Sequence, residues 1–84
     1  MGSYSIETKL NPEKAVEKAV AYFGPDAGKL EVVEQEACCA RLVGGGGFVQ
    51  IRAVTEDHST TIYLETREWD AYVRQFMKEI SAAG

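Results

Sequence analysis

No run of apolar residues in this 84-residue chain approaches the ~20 needed to span a bilayer. Positive charge is in deficit as well. Nine Lys and Arg stand against thirteen Asp and Glu, and the formal net charge of −4 works against nonspecific attraction to nucleic acid or anionic membranes. Histidine occurs once, at His58, too few for a zinc ligand set and, beside Asp57, no evidence of a Ser–His–Asp constellation. The two cysteines, Cys38 and Cys39, are adjacent and so close no loop; reduced thiols on opposite faces of a strand are expected, holding no metal between them. The opening "MGSYSIETKL" lacks the basic start and apolar stretch of a secretory signal, and Ile6 stands where a myristoylation signal needs Ser or Thr. A cytoplasmic protein without cofactor or metal is expected.

What is present reads as one α+β domain over residues 1–84, hydrophobic at 45% and charged at 26%. Tyr4, Ile6, Thr8 and Leu10 alternate with polar residues, the period of a half-buried strand. Asn11 is a good helix cap and Pro12 suits the first helical position. Ala15, Val16, Ala19, Val20 and Phe23 then recur at helical spacing until Gly24 and Pro25 end the run. Strands follow over Leu30–Val33, Cys38–Val43, Phe48–Thr55 and Thr60–Glu65. A last helix is expected to open at Thr66 as its cap and to bury Trp69, Tyr72, Val73, Phe76, Met77 and Ile80, with Trp69 and Tyr72 needing a polar partner at the margin. The order β-α-β-β-β-β-α predicts a two-layer sandwich, an antiparallel sheet with two helices on one face.

The run Gly44–Gly47 raises the possibility of a phosphate loop, but such a loop must open a helix, and "FVQIRAV" after Gly47 alternates as a strand. The run is read as a hairpin turn needing positive φ, with more glycine than one turn requires. If Gly44–Gly47 and Glu56–Ser59 are both simple hairpins, Val43 faces Phe48, Arg41 faces Gln50 and Cys39 faces Arg52, while Arg52 faces Tyr63 and Gln50 faces Glu65. Cys38, Ala40, Leu42, Val49, Ile51, Ala53, Ile62 and Leu64 then point to the helices. Cys39, Arg41, Phe48, Gln50, Arg52, Tyr63 and Glu65 share the helix-free face with Val43, Val54 and Thr61.

That second face combines arginines, aromatics and aliphatics, the composition of interface cores. The function expected is therefore a non-catalytic binding or assembly module using the helix-free face, most simply as a homodimer, with a small-molecule or protein ligand as the other occupant. A small thiol-dependent enzyme or sensor centred on Cys39, Arg52 and Tyr63 is the rival, since Arg52 beside Cys39 favours its thiolate. Nucleic-acid binding through Lys9, Arg41, Arg52, Phe48 and Tyr63 is a third reading, diluted by Glu7 and Glu65. Asp26, Glu31, Glu34, Glu36, Glu56 and Asp57 are read as solvated surface.

As an order of elements, the chain resembles the repeated half of the TATA-binding-protein-like fold, and also a shortened helix-grip domain of the START type. The stretches "GGGGFVQIRAV" and "TIYLETREWDAYVRQFM" are similar to small uncharacterised prokaryotic proteins. The resemblance implies a curved sheet backed by two helices. The acidic balance speaks against the DNA binding of the first fold, and the length against the enclosed cavity of the second.

Overall fold

Asn11 converts the first strand into the first helix. Its side-chain oxygen accepts the backbone N–H of Lys14 at 2.8 Å, and Pro12 follows at the helix start, so β1 (Gly2–Thr8) leads directly into α1 (Pro12–Phe23). The computed structural model describes residues 2–25 and 28–83; Asp26 lies outside them. Four strands and a helix follow: β2 (Glu31–Gln35), β3 (Cys39–Gly44), β4 (Gly47–Glu56), β5 (Ser59–Arg67) and α2 (Asp70–Ala83). The strands lie in the order β1-β5-β4-β3-β2, each antiparallel to its neighbours. The expected α+β fold, β-α-β-β-β-β-α, is the one observed.

Strands β1 and β2 are the two edges of the sheet, although only α1 separates them in sequence. A helix of 12 residues is ~18 Å long, and four strand gaps of ~4.8 Å span ~19 Å, so α1 has the length to carry the chain from one edge to the other. On the side it crosses, Ala40, Leu42, Val49, Ile51, Ala53, Ile62 and Leu64 are each exposed by 2% or less and meet Val16, Ala19, Phe23, Val73, Phe76 and Ile80 from the helices. Each large side chain buried there contributes ~1.5–3 kcal/mol. Tyr22 and Phe23 of α1 pack on Tyr72 and Phe76 of α2 with ring centroids 4.9–5.5 Å apart, which joins the two helices.

The glycine run is a turn. Gly44 pairs with Gly47, and Gly45 and Gly46 take φ of +57° and +80°, the two positive angles that match a tight hairpin to the strand twist. Gly47 has its own reason: a Cβ there would collide with the carbonyl of Arg67 on β5. The β4–β5 hairpin turns the same way without glycine, with φ of +49° at Asp57 and +69° at His58.

Three expectations are corrected. Thr66 does not cap a helix; it is a fully buried residue of β5, and its hydroxyl donates to the Phe48 carbonyl at 2.8 Å. The chain reverses at Glu68, whose φ is +76°, and Trp69 is fixed by its indole N–H donating to the Gly44 carbonyl at 2.9 Å, so α2 starts only at Asp70. Cys38 does not point under the helices. It is exposed in the Ala37–Cys38 turn, closed by Glu36 N–H to the Cys39 carbonyl at 2.7 Å and Cys39 N–H to the Glu36 carbonyl at 3.3 Å. Because Cys38 belongs to a turn, strand alternation does not separate the two sulfurs: Cys38 and Cys39 are joined in a disulfide rather than being free thiols.

Two substitutions test the hairpins by urea denaturation. Gly47→Ala forces the Arg67 strand away and is expected to cost about 1–3 kcal/mol. His58→Gly removes a left-handed penalty that exceeds the added freedom of the unfolded chain, and is expected to gain about 0.5–1 kcal/mol.

Candidate functional site

Pairing across β3, β4 and β5 brings the proposed residues together in rows. Cys39 faces Arg52, which faces Tyr63; Arg41 faces Gln50, which faces Glu65; Val43 faces Phe48. All seven candidates, Cys39, Arg41, Phe48, Gln50, Arg52, Tyr63 and Glu65, therefore share the helix-free face. Two neighbours complete it that sequence reasoning did not place. β1 lies beside β5, so Ser3 continues the Glu65 row and Ser5 the Tyr63 row. On the other side a bulge at Val33 lets Val32 pair with Leu42 and Glu34 with Arg41, which moves Glu34 onto the helix-free face. The signal was the doublet Val32–Val33, only one of which can face the core; Val33 is left 49% exposed. Lys9 lies beyond the end of β1, in the exposed bend before α1, away from the two arginines.

The aromatic rings of this face are covered by charge. The Arg41 guanidinium carbon sits 4.7 Å from the Phe48 ring centroid, and that of Arg52 sits 4.8 Å from the Tyr63 centroid. Arg41 also donates to the Gln50 side-chain oxygen at 2.8 Å. The one ion pair among the described residues is Lys14–Glu17 on α1, so neither guanidinium has a carboxylate partner. Phe48 and Tyr63 are consequently half-buried; Val43 and Val54 are half-buried too, while Gln50 and Arg52 stand exposed on the central strand.

Gln50 and Arg52 form a ridge with an open depression on each side. Toward β1 it is lined by Ser3, Tyr63 and Glu65 and encloses about 200 Å³; toward β2 it is lined by Glu34, Cys39 and Arg41 and encloses about 250 Å³. Both are smaller and more open than the ~300–1,000 Å³ clefts that bury a drug-sized ligand. A third depression, of about 650 Å³, lies between α2 and the β1 edge, lined by Ile6, Arg74, Met77, Lys78 and Ser81. Its larger volume reflects a gap at an edge and it brings none of the candidate residues together. No three His, Cys, Asp or Glu side chains converge as metal ligands among the described residues, and no helix there is long and apolar enough to cross a membrane.

At the far end of the Tyr63 column the phenol donates to both oxygens of Glu56 at 3.2 Å. That hydrogen bond, helped by partial burial and the Glu56 charge and opposed by Arg52, raises the Tyr63 pKa. Because the folded value lies above the unfolded one, the contribution is intact below the ordinary tyrosine value of ~10 and is lost as pH rises through the folded value. Glu56→Gln is expected to bring the Tyr63 midpoint down toward ~10 in an absorbance titration, with the other tyrosines unmoved.

Compared with known proteins, no family model matches this chain and no curated protein matches it either.

Proposed function

We propose that the chain is a non-catalytic binding module that assembles as a homodimer through the helix-free face of its sheet. The observation that supports this most is the ridge between two depressions. A two-fold axis off the sheet centre sets the Arg52 ridge of each copy into the β1-side depression of the other. There Arg52, which lacks a carboxylate partner in its own chain, meets Glu65 of the second copy. The off-centre axis also avoids stacking the paired arginines of one copy on those of the other.

Five strands at ~4.8 Å spacing give a face on the order of 20 Å across, near the small end of stable protein interfaces. A micromolar dissociation constant is the expectation, about −8 kcal/mol. The nucleic-acid reading is weaker, because Glu7, Glu34, Glu56 and Glu65 on or at the edge of this face outnumber its arginines, Arg41, Arg52 and Arg67. Too little net positive charge remains to displace counterions.

Sedimentation over a concentration series tests the dimer. Arg52→Glu is expected to weaken association at least ~10-fold by opposing two carboxylates, and adding Glu65→Arg to recover it by exchanging the charges. A wild-type chain that stays monomeric to millimolar concentration, or a double variant no better than the single one, overturns the proposal.

A further inference from the structure

We propose that the Cys38–Cys39 disulfide exchanges with small thiols that carry a carboxylate, and that Arg41 and Arg52 select them. The inference shares Arg52 with the proposed dimer face, so its test is run at chain concentrations well below micromolar and reads sulfur rather than association. Cys39 lines the β2-side depression, and the disulfide joins it to Cys38 in the adjoining turn.

Exchange needs an accessible sulfur and a stabilised leaving thiolate. Cys38 is exposed in its turn and offers the first. Cys39 is half-buried on the helix-free face, opposite Arg52 and in the same depression as Arg41, and offers the second. Positive charge beside a thiolate lowers its pKa and improves it as a leaving group. Arg41 and Arg52, whose guanidiniums rest over Phe48 and Tyr63 without carboxylate partners, line this depression with one carboxylate, Glu34, so its lining carries a positive excess in a chain of net charge −4. A depression of about 250 Å³ matches the volume of roughly eight water molecules, room for a small thiol and not for a folded partner.

The backbone lets the sulfurs part without unfolding the site. The Cys38 carbonyl accepts from Ala53 N–H at 2.8 Å, and the Glu36–Cys39 bonds close the turn, none of them through sulfur. Adjacent in sequence, the two thiols stay close enough to close again.

The step balances as two displacements. A thiolate RS⁻ attacks Cys38 Sγ, forming Cys38–S–SR and releasing the Cys39 thiolate. A second RS⁻ attacks the RS sulfur of that mixed disulfide, giving RSSR and the Cys38 thiolate. Two thiols lose two electrons, the protein disulfide gains them, and water protonates the thiolates. The reverse uses RSSR as oxidant.

The experiment treats the oxidised full chain with 3-mercaptopropionate, 2-mercaptoethanol and cysteamine, each rate per thiolate divided by that thiol's rate with an uncharged reference disulfide, which removes the rise of nucleophilicity with thiol pKa. After acid quench and alkylation, mass spectrometry counts the free cysteines. The carboxylate thiol is expected to react roughly tenfold faster than the cationic one, at the low end of electrostatic steering, with the neutral one between. The Arg41→Gln/Arg52→Gln variant, with its fold checked by circular dichroism, is expected to lose that order. Rates independent of thiol charge, an order unchanged in the variant, or a reduced chain that 3,3′-dithiodipropionate fails to re-oxidise each overturn the proposal.

Discussion

The pairing of Gly44 with Gly47 sets β3 against β4, and the side-chain assignments on both faces of that pair follow from it. A slip of β3 by one residue would turn Ala40 and Leu42 to solvent and drive Arg41 and Val43 under the helices. The turn resists that slip in two ways: paired positive φ angles select one hairpin geometry, and the Trp69 indole holds the Gly44 carbonyl from the start of α2. One tryptophan thus ties the hairpin to the helix layer and closes the sheet against it.

With one face committed to the core, the other carries polar and aromatic side chains whose arrangement is not a simple solvated surface. Phe48 and Tyr63 would be exposed aromatic patches on a bare sheet. Here each is covered by an arginine from the same face, which keeps the rings half-buried and spreads positive charge along the central strands. Carboxylates lie to either side, Glu34 toward the β2 edge and Glu65 toward β1. A positive ridge thus runs between troughs that each carry a carboxylate.

Much of this was legible in residue order. Asn11–Pro12, the alternating strands and the stripe from Trp69 to Ile80 have direct local causes, and the structure shows each as an element or a cap. The β3–β4–β5 register followed from two hairpin lengths, because a two-residue turn leaves no freedom in pairing. The failures also have causes. Thr66 has the side chain of a cap, yet tertiary contact with Phe48 keeps it in the strand. Cys38 has a strand neighbour on one side only, so alternation was extended one residue too far and the disulfide was missed.

Local pattern alone determined which side chains the central strands present to the helices and which they leave outside, because the period of a strand and the geometry of a tight hairpin are short-range properties. Only the tertiary structure decided that β1 closes beside β5 and that β2 bulges at Val33. Those two placements supply Ser3, Ser5 and Glu34 and turn a row of side chains into a ridge with walls. They depend on α1 crossing the sheet and on packing beneath it, interactions between residues far apart in the chain, which no local period encodes.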